Sequence, residues 1–520
     1  MNSLSEIDRL SGGSTGQVPS EIFAYMVKKT NKSSGGRPEK ARQTVRPKKK
    51  KSAKAPKKPG DAEVLEQTGH FRVAECAISE TARGGKSKAL QKGFIERMGE
   101  LVSADEIIEA GRRLGAIKRQ RKVDLPALVQ ATVAAMSPIP GAETSAFVNY
   151  LSITGVPLVP SSFYDRFSPE FAVLMQELAV RAVRMVREVS PKDRTVKDYG
   201  ILLETFDDVQ AADGSCAILK RLAKDWAPST SKKRPAGYKI NAVVSLRDHL
   251  PTAIDVTPQR RHDNAALPED ALKPNTLTFF DLGYIDVRRF VDMTIRGAFF
   301  LTRLKTSHNP VIHRVHVGRG RRKEARGLHL DEALEQDVLD FHQGEIDVDV
   351  VLKADGKQAI VRVIGIENEE EDQWWYLTNV DRETLDTEDV AQAYRLRWDV
   401  ELLFKQLKSG AGLKAVLAWR SSAVLAFLYA KITALCLARL LELSVEERAG
   451  PHATTQLALL LTLSRSMPLL LGFFMQQRGV TLEQFEDRII MIASIVARSR
   501  RQRRERQKRK QRQALGTGNR

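Results

Sequence analysis

Five short β-prone runs between residues 206 and 305 constrain this chain more than any other feature. "DVQAADGSCAIL", "YKINAVVSL" and "TAIDVTP" follow one another closely, as an antiparallel meander would. "TLTFFDLG" and "AFFLTRLK" come after them, each preceded by a segment of helical character, "HDNAALPEDALK" and "DVRRFVDMTIRG". The order β-β-β-α-β-α-β predicts an α/β fold. A second β-rich stretch fills roughly 345–380, and helical patterns occupy about 91–190 and 423–497.

The 520 residues suffice for a sizeable core, and 42% of them are apolar. Lys and Arg number 83 against 64 Asp and Glu, a formal charge of +19 whose field attracts polyanions, nucleic acid first. Residues 28–60 hold fourteen basic residues and one acid, and residues 498–512 hold ten and one. Neither stretch can bury enough surface to offset its ordering entropy, and both can neutralise phosphates. Three distant cysteines, Cys76, Cys216 and Cys436, fit neither a disulfide framework nor a zinc site and suit a reducing cytosol. The first residues lack the apolar core of a secretory signal. The apolar segment 423–443 carries Lys431 and Arg439, so it is expected to be a buried helix and not a membrane span. Ser103 before Asp105 and Glu106 predicts a helix N-terminus. The cluster Arg112, Arg113, Lys118, Arg119, Arg121 and Lys122 suits phosphate contacts and the edge of a soluble bundle equally well.

The stretch "YRLRWDVELLFKQLK" (394–408) is amphipathic. At about 100° per residue, Tyr394, Arg397, Glu401, Lys405 and Lys408 share one polar face beside an apolar stripe of Leu396, Val400, Leu403, Phe404 and Leu407. An ion-paired solvated face and a face turned to a ligand both agree with that pattern. Two acids, Asp213 and Asp281, stand at the expected C-terminal ends of apolar strands, each close to a glycine. For Asp213, Asp-Gly turn chemistry explains the pattern as well. Two such aspartates and the helix-borne Glu401 can converge on a divalent cation, with oxygen donors that suit Mg2+ or Mn2+. Paired ions of that kind support in-line phosphoryl displacement, and Arg397, Lys405 and Lys408 would hold phosphates beside them.

The spacing Tyr-x2-Arg-x3-Glu-x6-Lys over Tyr394, Arg397, Glu401 and Lys408 resembles the signature of the insertion sequence 4 family of DDE transposases. The blocks "DGS", "GYKINAVVSL", "VTPQRRHDNAAL", "FFDLGYIDVRRF", "FFLTRLK" and "YLTNVDRETLDTEDVAQAYRLRW" follow in that family's order, over about 95–445. The resemblance implies an RNase H-like mixed sheet with flanking helices, interrupted by a β-rich insertion, plus an N-terminal helical DNA-binding domain. It implies Asp213, Asp281 and Glu401 as metal ligands and catalytic residues, and Tyr394, Arg397 and Lys408 as ligands of element-end phosphates. In hairpin-forming members an aromatic of the insertion receives a flipped base, a role that Trp374 or Trp375 would take. Lys239, His262 and Arg303 lie in family-like blocks, with Lys239 and Arg303 expected near DNA.

The expected organisation is a basic, largely disordered region 1–90, a DNA-binding domain 91–195 and a catalytic core in two parts, 196–305 and 386–445. The insertion 306–385 separates those parts, and a helical region 446–497 and a basic tail 498–520 close the chain. The expected function is cut-and-paste DNA transposition: metal-dependent cleavage at element ends, then strand transfer by a homodimer on double-stranded DNA. The expected location is the bacterial cytoplasm and nucleoid, with no membrane partner. An RNase H-like nuclease without strand transfer and a non-catalytic DNA-binding derivative are the alternatives.

Overall fold

A ten-stranded mixed sheet organises the protein. The computed structural model describes residues 60–73, 94–117, 124–135, 142–190, 200–248, 250–305, 308–367, 373–397 and 418–449, with Glu401 and isolated positions between 472 and 505. Chain order gives β1 (His70–Arg72), β2 (Asp208–Ile218), β3 (Gly237–Ser245), β4 (Pro251–Pro258), β5 (Thr276–Phe280) and β6 (Phe299–Arg303). Then come β7 (Val311–Val317), β8 (Arg319–Gly320), β9 (Leu339–Asp340), β10 (Glu345–Ala354), β11 (Lys357–Glu367) and β12 (Gln373–Thr378). Across the sheet the order is β1-β4-β3-β2-β5-β6-β12-β11-β10-β7, while β8 and β9 form a separate ladder. β2, β3 and β4 are the antiparallel meander expected from sequence. β5 then lies parallel to β2, and β6 parallel to β5. The helix Val287–Ile295 makes the crossover between β5 and β6, whereas 264–271 holds only two short 3-10 turns where helical character was expected.

The β-rich stretch continues this same sheet. β12 pairs with β6, and β11, β10 and β7 follow outward. The β10–β11 hairpin turns on Asp355 and Gly356, both at positive φ (49° and 74°), the backbone that a two-residue turn between twisted strands demands.

Side-chain alternation puts two cores on the two faces. Val209, Ala211, Leu277 and Phe279 join one cluster with the helices Pro169–Val189 and Ser421–Ala449. Ala212, Val243, Phe280 and Phe300 join the other, beneath the helix Val287–Ile295, where Phe290 stacks on Phe300 at 4.2 Å. Pro169–Val189 starts cleanly because the Ser168 hydroxyl accepts the Phe171 N–H and proline fills the first turn. Ser103 does sit at the start of Ala104–Arg113, but its side chain makes no capping bond. The window 421–441 has the length and apolarity of a membrane span, yet 94% of it is buried inside the protein, as its two cations implied.

The expectation of a largely disordered region 1–90 needs correction over residues 61–72. Asp61–Thr68 is a helix packed on Ser421–Ala449, where the Asp61 carboxylate accepts from both the backbone N–H and the hydroxyl of Ser421 at 2.9 Å. β1 then pairs with β4, and Arg72 bonds Asp255 and Asp270 at 2.6 and 2.5 Å. Residues 28–59 and 498–504 lie outside the described residues, as do the side chains of Lys118, Arg119, Arg121 and Lys122.

Candidate active site

The sheet delivers two acids to neighbouring positions. Ala212 pairs with Phe280 across the parallel β2·β5 ladder, so Asp213 and Asp281 are the next residues on neighbouring strands. Neighbouring strands lie about 4.8 Å apart. Asp213 continues the Val209–Ala211 side of its strand and Asp281 the Leu277–Phe279 side, so both leave the sheet on one face. Asp281 follows β5 directly, as expected, and opens the turn Leu282–Tyr284. Asp213 is different: β2 runs on to Ile218, so the aspartate sits in mid-strand and not at a strand end. Gly214 stays paired with Asn241 of β3, which removes the turn reading of Asp-Gly here.

Gly214 earns its place through crowding on the opposite face. A Cβ there would meet the Tyr284 hydroxyl at 2.6 Å and Asn241 Oδ1 at 3.3 Å. Burial, then the charges of Asp213, Asp263 and Asp281, push the Tyr284 phenol well above its ordinary value. Tyr284 therefore remains a neutral phenol beneath the two aspartates.

The third carboxylate, Glu401, lies beyond the helix Thr387–Arg395, which is capped by Asp386, whose side chain accepts the Asp389 N–H at 2.8 Å. Arg397 links it to the sheet: one guanidinium nitrogen donates to Glu401 Oε1 at 3.0 Å and another lies 4.0 Å from Asp281 Oδ1. Burial opposes the Arg397 charge, but Tyr394, Asp281 and Glu401 outweigh it and hold the guanidinium more firmly protonated than usual. Its carbon sits 5.7 Å from the centre of the Tyr394 ring.

Tyr394 departs from the wheel. Its ring is buried against Tyr376, and its hydroxyl donates to the Phe280 carbonyl at 3.3 Å, one residue before Asp281. The helix Thr387–Arg395 ends between Tyr394 and Arg397, so the single continuous helix expected over 394–408 does not hold at its start. Lys239 is likewise committed, donating to Asp263 Oδ1 at 2.5 Å and to the Arg261 carbonyl at 3.0 Å. That contact gives Asp263 a lysine partner, while His262 is exposed. Arg303 ends β6 opposite Tyr376 and is half-buried. Trp374 and Trp375 are half-buried on opposite faces of β12; Trp374 packs against the first core, and Trp375 lies over Gly365 and beside Phe341 at 5.6 Å. Lys405 and Lys408 lie outside the described residues.

Among the described residues, no three His, Cys, Asp or Glu side chains already converge as a metal cage. The donor set still fits a hard divalent cation: two aspartates fixed side by side, and a half-exposed glutamate held by a cation. Asp213, Asp281 and Glu401 are the residues that would hold it.

Residues 204–437 match the family described as Transposase DDE domain, a range that contains all three acids. That domain and the relatives below make the chain similar to the DDE transposases of insertion sequences. It is 24% identical over 226 residues to the transposase of insertion sequence element IS231B from Bacillus thuringiensis subsp. berliner, covering 42% of this chain and 46% of that protein. Against the IS231F transposase from Bacillus thuringiensis subsp. israelensis, identity is 20% over 362 residues, covering 61% and 72%. The chain thus spans about half the length of the first relative and nearly three quarters of the second. Among solved structures, the piggyBac transposase synaptic complex with hairpin DNA is similar only distantly, with a TM-score of 0.38, 11% identity and coverage of 80% and 87%.

Proposed function

We propose that this protein is a cut-and-paste DNA transposase whose catalytic core is RNase H-like. The carrying observation is the parallel register that sets Asp213 beside Asp281, with Glu401 joined to Asp281 through Arg397. The order β4-β3-β2-β5-β6, three antiparallel strands followed by two parallel ones, supports the RNase H-like reading.

When bound by the three carboxylates, Mg2+ or Mn2+ supplies an activated oxygen nucleophile and charge stabilisation at the leaving oxygen. The chain's own residues do the rest. The sheet fixes two ligands before any ion arrives. Glu401 closes the set from its helix, and Arg397 is drawn to the DNA phosphate as the carboxylates are neutralised. Tyr394 acts as a positioning residue for the Phe280–Asp281 backbone, and Tyr284 fills the space behind Gly214. Lys405 and Lys408 extend the phosphate contacts, and Arg303 and Lys239 border the site. An indole of Trp374 or Trp375 would have to leave its packing to receive a base.

Segment 91–195 serves as a DNA-binding region, two copies of the chain bring two element ends together, and the site of action is the cytoplasm and nucleoid. The test is a strand-transfer assay with a labelled element end, a target plasmid and Mg2+. Joined product is the expected result; cleavage without joining would establish the nuclease reading instead.

A further inference from the structure

The loop between β2 and β3, residues 219–236, carries a cluster of cations that neither the catalytic reading nor the family signature uses. Lys220, Arg221, Lys224, Lys232, Lys233 and Arg234 are all exposed, and the loop's single acid is Asp225. None of these six side chains has an ion pair or hydrogen bond among the described residues, whereas Arg72 and Arg362 of the sheet, Arg187 of the helix Pro169–Val189 and Arg382 beyond β12 are all paired. Arg260, exposed just beyond β4, adds a seventh.

The loop is not a loose flap. Leu219 N–H donates to the Ala236 carbonyl at 3.0 Å, Ser229 N–H to Pro235 at 3.1 Å and Gly237 N–H to Ala227 at 3.0 Å. Arg260 N–H reaches the Pro228 carbonyl at 3.1 Å, tying the seventh cation to the others. Trp226 is buried as the loop's anchor, and its indole N–H donates to the Trp419 carbonyl at 2.8 Å. Trp419 itself is 40% exposed beside Arg420, an aromatic-and-cation pairing suited to nucleic acid.

Position gives the patch its meaning. β2 and β5 are parallel, so the end of β2 that launches this loop is also the end to which β5 delivers Asp281. Asp213 and Ile218 are five residues apart on one strand, about 17 Å at 3.4 Å per residue. A duplex rising roughly 3.4 Å per base pair covers that distance in about five base pairs.

We infer that the β2–β3 loop, with Arg260, is a docking surface for the phosphate backbone of the duplex engaged at the carboxylates, about five base pairs from the reacting phosphate. The inference rests on the transposase reading and adds a second contact that sets DNA direction across the sheet. Unpaired lysines and arginines on a pinned loop neutralise phosphates without reading bases. The duplex is therefore recognised here independently of its sequence.

The test compares wild type with a combined Lys224→Gln, Lys232→Gln, Lys233→Gln and Arg234→Gln protein, using a random-sequence 30-base-pair duplex without metal over a range of salt. The slope of log affinity against log salt should become shallower by about 3 to 4, roughly 0.9 per lost contact. With Mg2+, the KM for DNA should rise while kcat holds. A second protein, Lys220→Gln with Arg260→Gln, should lose about 2 from the slope by the same arithmetic. All six positions are exposed, so unchanged thermal melting is expected and confirms that folding is intact. Wild-type slopes in both proteins would overturn the docking surface, as would an unchanged DNA slope alongside lost affinity for polyglutamate. A wild-type protein that bound no duplex and cleaved none would instead overturn the transposase reading.

Discussion

The two aspartates and the glutamate are positioned by different means. Asp213 and Asp281 are set by strand register, within a sheet whose two faces are both buried in core. Glu401 is 44% exposed and, among the described residues, is held by Arg397. The sheet thus supplies a preorganised pair, and the helix supplies an adjustable partner. Like charges packed together repel, and Arg397, close to both Asp281 and Glu401, relieves that repulsion. Changes to the pair should therefore cost more than changes to the link.

Asp213→Asn should have the largest effect, lowering Mg2+-dependent cleavage by about 10³-fold or more with the fold retained. Single-turnover cleavage of a labelled duplex measures it, and activity within tenfold of wild type would remove Asp213 from the site. Gly214→Ala comes next. Its Cβ meets Tyr284 and Asn241, so stability should fall by about 1–3 kcal/mol and cleavage by about 10²-fold as Asp213 shifts. Urea unfolding together with cleavage separates the two losses.

Tyr394→Phe removes one hydrogen bond to the Phe280 carbonyl, about 0.5–1.5 kcal/mol, and should slow cleavage about tenfold. Its salt slope for DNA binding should not move; a drop of about 1 would make the tyrosine a phosphate contact after all. Arg397→Gln should have the smallest effect on stability without metal, about 1 kcal/mol or less, because Glu401 is well solvated. Adding Mg2+ should then raise the melting temperature more than it does in wild type, since Arg397 no longer offsets the charges of Asp281 and Glu401.

Much of this was legible in the sequence because it is local. Alternating apolar residues marked β2 to β6, and their order gave the antiparallel start and the later crossover. Asp281 stood out because no hairpin follows it. Asp213 was misplaced because Asp-Gly-Ser reads as a turn, whereas pairing of Gly214 with Asn241, distant in the chain, keeps it in the strand. The same dipeptide at Asp355–Gly356 is a true turn, since strands flank it closely on both sides. Non-local pairing also hid the continuation of the sheet into β12, β11, β10 and β7, and the attachment of β1 to β4. The cations of residues 219–236 carried no signal of their own in so basic a chain. They became distinct only when their unpaired side chains and their sheet end were known.

The central claim is that Asp213, Asp281 and Glu401 form one cation site. Mn2+ binding, followed by titration with electron paramagnetic resonance in the presence of duplex DNA, tests it most directly. Wild type should show saturable binding that is strongly weakened in Asp213→Asn, Asp281→Asn and Glu401→Gln alike. Wild-type Mn2+ affinity in Glu401→Gln would contradict it, and would leave the helix without a part in the metal chemistry.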